Sequence, residues 1–225
     1  MYHTQQGTDV YTYLMKETPS IPRKNIPHET PEAVEKGEME VEVKYLVQSL
    51  PEEIEELIRS KTCDYRVIEQ GYIRSVGKSA KKARLRVRKS YHPDHGEEYR
   101  FTDKKGISGN EVARFEHEIP VESKEEFDAL WKLTEGHRVH KTRYYIPYTH
   151  PEIEAELTIE LDIFHDALEG LMLAEIEFKT EGKDTIEAEK KAALVRAKPP
   201  KWFGEDVTGE KQWKNSTLAA KGLPK

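Results

Sequence analysis

The sequence predicts an α+β protein built around an eight-stranded antiparallel sheet that closes into a barrel, with helices packed outside. Three observations lead to this prediction. Eight segments alternate charged and apolar residues with a period of two, and few segments have helical periodicity. An even number of antiparallel strands also allows the sheet to close and so to remove its edges.

The first 37 residues are predicted to be an appendage to this domain. They carry Pro19, Pro22, Pro27 and Pro31 and show no sustained periodicity, which is typical of an extended or disordered segment. Residues 38–225 are predicted to form the folded domain, and the total of 225 residues suits one domain of this kind.

Composition excludes several classes of protein. The net charge of -6 argues against non-specific binding to nucleic acid or to anionic membranes. Cys63 is the single cysteine, so an intramolecular disulfide and a cysteine-based metal cluster are both excluded. Apolar runs stay well below the ~18 residues of a membrane helix, and the N-terminus lacks the pattern of a signal peptide. We therefore expect a cytoplasmic protein.

The predicted elements follow one another from residue 38. Residues 38–47 alternate charged and apolar side chains, as a half-buried strand does. Residues 51–58 begin with proline and space their apolar residues three or four apart, which indicates a short helix. The same alternation predicts further strands at residues 64–75, 83–88, 98–104, 112–119, 139–146, 155–164 and 172–180.

Helices are predicted at three further places. A capping box from Ser123 to Glu126 opens a helix that runs to about residue 133. Residues 184–196 have an alanine-rich face, and Pro199 and Pro200 end that helix. A short final helix lies within residues 202–220, and we expect it to act as a lid over the barrel.

The charged faces of the strands are sorted by sign. Side chains two apart in a strand share a face. Basic residues dominate this face in the third, fourth and sixth strands, and carboxylates dominate it in the first, seventh and eighth. A half-exposed sheet with its charged side in water explains any one strand. The sorting across strands favours another arrangement, in which outer helices cover the apolar face and the charged face lines the barrel interior.

Such an interior suits phosphate chemistry. Arginine binds phosphate oxygens in bidentate fashion and lysine supplies a point charge. Carboxylates hold a hard divalent cation that bridges phosphate oxygens. Phosphoryl transfer to water needs mainly positioning and neutralisation of charge, and two walls of opposite sign supply both.

The same residues resemble the CYTH family, also called triphosphate tunnel metalloenzymes. The segment from Glu40 to Lys44 resembles the ExExK motif that defines the family, and matching segments follow in order over residues 38–220. These segments are Arg84–Arg88 (the arginine strand), Phe101–Lys104 (with Asp103 where an apolar residue is usual), Arg114–Glu118 (RxExE), Lys141–Tyr144 (KxRY), Ile159–Asp162 (ExD), Gly170–Phe178 (GLxxAEIEF), and Trp202–Thr208 with Asn215–Ser216.

The resemblance implies an eight-stranded tunnel with Mg²⁺ or Mn²⁺ as cofactor and a small triphosphate as substrate. Family substrates include inorganic tripolyphosphate, thiamine triphosphate, nucleoside triphosphates and RNA 5′-triphosphate ends, and one branch makes cyclic AMP from ATP. Beyond such an RNA end, neither a nucleic-acid nor a membrane partner is expected. The oligomeric state stays open, with a homodimer among the alternatives.

The resemblance also assigns roles to residues. Lys104 would orient or activate the attacking water, which requires a pKa well below its usual value of about 10.4. Strand parity puts the three arginines of the third strand on one side and leaves open which of them face the ligand. The implied metal ligands are Glu40, Glu42, Glu160, Asp162, Glu175 and Glu177. The implied phosphate-binding residues are Lys44, Arg84, Arg86, Arg88, Lys104, Arg114, Lys141 and Arg143.

Three functions remain as hypotheses. Hydrolysis of a small triphosphate leads, because the tail resembles that of the short bacterial triphosphatases in the family. A class IV adenylate cyclase would use the same barrel, although that branch often shows a histidine and an aromatic residue shortly before ExExK, and residues 36–39 lack both. A non-catalytic sensor that binds polyphosphate is the third hypothesis, and the full set of expected ligands argues against it.

Overall fold

The computed structural model describes residues 38–73, 83–106, 113–180 and 184–224. The predicted appendage at residues 1–37 lies outside the described residues. The side chains of Arg84, Lys104 and Arg114 also lie outside them, although the backbone of each is placed in a strand.

Eight strands and four α-helices make up the described part of the chain. The strands are β1 (Glu38–Val47), β2 (Asp64–Ile73), β3 (Ala83–His92), β4 (Gly96–Gly106), β5 (Ala113–Pro120), β6 (Arg138–Thr149), β7 (Glu156–Phe164) and β8 (Met172–Thr180). The helices are α1 (Glu52–Ser60), α2 (Lys124–Lys132), α3 (Ile186–Ala197) and α4 (Asn215–Lys221). None of the described helices is long and apolar enough to cross a membrane.

All strand pairings are antiparallel, and their order is β1-β5-β4-β3-β2-β6-β7-β8. The ring of pairings closes at β1, which pairs with β8 along its whole length from Met39 and with β5 over residues 38–41. The predicted α+β class and the eight-stranded antiparallel sheet are therefore confirmed.

β3 and β4 are longer than the sequence analysis predicted, because the turn between them is tight. His92 pairs directly with Gly96, so the ladder continues to the turn itself. Gly96 has φ of +76°, a left-handed conformation that glycine adopts without the steric cost of a Cβ atom.

The main apolar core lies on the outer face of the barrel. Val41, Val43 and Tyr45 of β1 pack there with residues of β7 and β8 and with the buried faces of α1 and α3. Phe127 of α2 packs in the same way on the outer face of β3 and β4. The charged side chains, two apart from one another, occupy the opposite face and point into the ring.

One end of the interior is apolar. Val139, Phe164 and Leu173 share strand parity with the charged residues Lys141, Asp162 and Glu175, but they pack against Leu218 of α4. α4 contacts β6 and β2, so it lies against this end of the barrel, where the sequence predicted a lid. We call this apolar end, formed by Val139, Phe164, Leu173 and Leu218, the floor.

The chain leading to α4 is tied to β1. Gly204 donates to the Leu46 carbonyl at 2.8 Å, the Leu46 amide donates to the Glu205 carbonyl at 2.9 Å, and Val207 donates to the Lys44 carbonyl at 2.9 Å. Residues 204–207 thus occupy the edge of β1 beyond the point where β5 ends its pairing. This attachment fixes the floor to the strand that carries Glu42 and Lys44.

We expect Leu218→Ala to lower the free energy of unfolding by about 2–4 kcal/mol, because Leu218 is 2% exposed in the floor. Leu223→Ala is the matched control, since Leu223 is 47% exposed, and its cost should stay within about 0.5 kcal/mol. Urea unfolding of both variants measures the difference. Equal losses would contradict the assignment of α4 to the floor.

Candidate functional site

Three of the six predicted metal ligands come together inside the barrel. Glu42 of β1 lies opposite Glu177 of β8 in the strand register, and Glu175 precedes Glu177 by two residues on the same face. Carboxylate oxygens of these three residues lie within 4.8 Å of one another. Glu42 and Glu175 are buried, and Glu177 is half-buried. We call this group the acidic cluster.

The carboxylates of the acidic cluster differ in how well nearby cations compensate their charge. Burial raises the pKa of Glu177 well above its usual value, and the neighbouring Glu160 and Glu40 raise it further. Burial alone would also raise the pKa of Glu175, but Lys44, Arg143 and Lys141 hold it well below its usual value. A divalent cation would remove the repulsion at Glu177, so the donor set and its electrostatics both fit such an ion.

Arg143 is the centre of an interior ion-pair network. Its Nε donates to Asp162 Oδ1 at 2.7 Å, and its Nη2 donates to Asp162 Oδ2 at 2.7 Å and to Glu175 Oε2 at 2.8 Å. Its Nη1 donates to Glu160. Because four hydrogen bonds to three carboxylates fix its guanidinium, Arg143 determines the relative positions of β6, β7 and β8 side chains.

Asp162 is placed differently from the acidic cluster. It is fully buried, and both of its oxygens accept hydrogen bonds from cations, Oδ1 from Arg143 and Oδ2 from Arg143 and Lys141. Five of the six predicted ligands therefore fall into two groups. Glu42, Glu175 and Glu177 meet in the acidic cluster, whereas the described bonds of Glu160 and Asp162 go to Arg143 and Lys141.

Lys44 connects the acidic cluster to the tail. Its Nζ lies 2.7 Å from Glu175 Oε1 and 3.7 Å from Glu42 Oε1. Its backbone amide donates to Thr208 Oγ1 at 3.0 Å. The residue predicted to bind phosphate thus borders the proposed cation site directly, and the tail holds its main chain in place.

The basic wall lies across the barrel on β3. The strand register pairs Arg86 with Tyr72 and Arg88 with Gln70 of β2, which puts both arginines on the interior face. Arg86 donates to Glu118 Oε1 at 2.6 Å and to Thr102 Oγ1 at 3.1 Å. The sequence had left open which arginines of this strand face the interior. Arg86 and Arg88 do, and the Arg84 side chain is not described.

Arg88 is the least compensated cation of the described interior. Its Nε is buried and has no hydrogen-bond partner among the residues that the structure describes. Burial lowers its pKa, and the nearby Arg86 and Arg143 lower it further, whereas Glu118 opposes them. A buried guanidinium among like charges is unfavourable unless an anion approaches it. This arrangement therefore fits an anionic ligand.

The sequence patterns assigned no role to several interior residues of β2, β4 and β5. Glu118 bonds Arg86, and Arg66, Glu98 and Arg100 form ion pairs near it. The signal that could have found Arg100 was the parity already used for this strand, since Arg100 precedes Thr102 by two residues.

We expect substitutions in the two groups of carboxylates to change stability in opposite directions in metal-free protein. Asp162→Asn should lower the free energy of unfolding by about 3 kcal/mol, because it leaves two buried cations under-compensated. Glu177→Gln should keep or raise stability, because it removes a carboxylate that is crowded by carboxylates. Urea unfolding with EDTA measures both effects, and a larger loss for Glu177→Gln would contradict this division.

Known proteins are similar to this chain over most of its length. The family model of the CYTH domain matches residues 38–202. The inorganic triphosphatase of Nitrosomonas europaea is 34% identical over 180 residues, which cover 80% of this chain and 96% of the relative. A crystal structure of an inorganic triphosphatase is 32% identical with a TM-score of 0.49, and the match covers 82% of this chain and 97% of that chain. A protein of Pyrococcus horikoshii OT3 is 25% identical with a TM-score of 0.51, and the match covers 73% and 93% of the two chains.

Proposed function

The chain belongs to the CYTH domain family, and from that membership and the site geometry we propose that it hydrolyses a triphosphate inside its barrel with the help of a divalent cation. One observation carries the proposal. A crowded acidic cluster and an under-compensated arginine with a buried Nε occupy facing walls of the same interior. A metal–triphosphate complex has the charges that both walls require.

The proposed cation is Mg²⁺ or Mn²⁺, held by Glu42, Glu175 and Glu177. Glu40, Glu160 and Asp162 complete the set that the family resemblance implies. When bound, the cation neutralises charge on the phosphate oxygens. The protein contributes the position of the ligands, because Glu175 is fixed by Lys44 on one oxygen and by Arg143 on the other.

Arg86 and Arg88 are the proposed primary contacts of the phosphates on the basic wall. Arg88 has the least compensated guanidinium, so it gains most from an anion. Most N–H groups of Arg143 already donate to carboxylates. We therefore propose that it mainly holds Glu160, Asp162 and Glu175 in place. The remaining proposed phosphate-binding residues are Lys44, Arg84, Arg114 and Lys141.

Lys104 is the residue that we propose to hold the attacking water. The strand register places it opposite Arg84 of β3 and Glu116 of β5. A neighbouring cation lowers the pKa of a lysine and so makes it a better proton acceptor near neutral pH.

We propose that residues 38–225 form the catalytic domain. We also propose inorganic tripolyphosphate as the substrate, because the relative that is 34% identical is called an inorganic triphosphatase.

The experiment that tests the function combines purified protein, Mg²⁺ or Mn²⁺, and either tripolyphosphate or ATP. We expect rapid release of phosphate from tripolyphosphate and slow turnover of ATP, followed by ion chromatography. Cyclic AMP with pyrophosphate from ATP would instead identify a cyclase. Metal-dependent binding of either compound without any product would identify a sensor.

We expect Glu42→Gln and Lys104→Ala each to lower kcat/KM for tripolyphosphate by at least about 100-fold. Glu42→Gln should also weaken Mn²⁺ binding in a calorimetric titration, because it removes one charged ligand, whereas Lys104→Ala should leave Mn²⁺ binding intact. Glu53→Gln on the exposed face of α1 is the matched control and should keep full activity. Full activity in both site variants would overturn the site assignment.

A further inference from the structure

The end of the barrel opposite the floor has exposed side chains among the residues that the structure describes. Along β6, Val139 lies in the floor and Arg143 lies four residues farther along, where the register pairs it with Arg66 of β2. On the facing wall, Thr158 of β7 and Lys179 of β8 lie at the same end and are both exposed. We call this end the mouth.

A row of side chains with alternating charge extends from the basic wall to the mouth. Glu118 accepts from Arg86 at 2.6 Å and lies 3.8 Å from Arg100. Glu98 lies 3.6 Å from Arg100 and accepts from Arg66 at 2.9 Å. The side chain of Arg86 is 6% exposed, whereas those of Arg66 and Arg100 are 29% and 40% exposed. This row of charged side chains therefore links a buried arginine to two solvent-accessible arginines.

Arg66 and Arg100 share two partly exposed carboxylates at the mouth. Among the described side chains, Arg66 pairs with Glu98, and Arg100 lies near both Glu98 and Glu118. The outer ion pairs are long or partly hydrated, and such pairs are weak. A phosphate group that takes bidentate bonds from an arginine is a stronger partner than a partly exposed carboxylate at 3.6 Å.

We propose that Arg66 and Arg100 form an outer anion subsite at the mouth, which binds the part of an inorganic polyphosphate that extends beyond the three phosphates held deeper in the barrel. Glu98 forms ion pairs with both arginines, and the anion displaces Glu98 when it binds. This inference rests on the proposed function and adds to it a preference for chain length. A neutral substituent, such as the nucleoside of ATP, brings no negative charge to this subsite.

The test compares tetrapolyphosphate with tripolyphosphate in the full chain. For Arg66→Met and Arg100→Met, the ratio of kcat/KM for tetrapolyphosphate to kcat/KM for tripolyphosphate should fall by about fivefold or more. For Glu98→Gln, which removes the carboxylate paired with Arg66 and one of the two carboxylates beside Arg100, the ratio should rise. Arg59→Met is the matched control, because Arg59 pairs only with Glu55 and Glu56 of α1 among the residues that the structure describes, and its ratio should not change.

Ratios within twofold of the unmodified protein in both arginine variants would overturn the subsite, as would a lower ratio in Glu98→Gln. If neither polyphosphate is hydrolysed, the proposed function fails separately, and calorimetric titration of the same proteins with both polyphosphates decides the subsite. Tighter binding of tetrapolyphosphate that is lost in Arg100→Met would support it. Equal affinity of all variants for tetrapolyphosphate would refute it.

Discussion

The burial of charge inside a ring of strands is the constraint on which this structure depends. Asp162 is fully buried and accepts from Arg143 and Lys141, so it compensates the charge of both cations. Arg143 in turn fixes Glu160 and Glu175. Because a single removed partner leaves a buried charge uncompensated, the interior is stable only as a nearly balanced set. The imbalance that remains, at Glu177 and at Arg88, marks where a cation and an anion would enter.

The balance also explains why the apolar core lies outside the barrel. The inner face is occupied by charge, so the strands bury their other face against α1, α2 and α3. Most of the hydrophobic stabilisation is therefore separate from the site, and substitutions in the interior act mainly through charge compensation. The floor is the exception, because Leu218 brings apolar packing to the interior side.

Much of the fold could be predicted because a period of two is a local signal. β1 and β8 begin and end where the alternation predicted them, and the interior faces of β3, β6 and β7 follow from parity. The partners of each charge could not be predicted in this way. Whether Asp162 meets Arg143 or the acidic cluster depends on the register between β6, β7 and β8, which distant residues determine together. The pairing of residues 204–207 with β1 carries no periodicity at all and was missed.

That pairing determines how deep the chamber of the barrel is. The family model ends its match at residue 202, and the segment that pairs with β1 and carries the floor starts at residue 204. The charged rows and the piece that closes the barrel beneath them are thus successive in the chain. Replacement of this terminal piece would change the depth of the chamber, and with it the size of molecule that fits, and it would also release the main chain of Lys44.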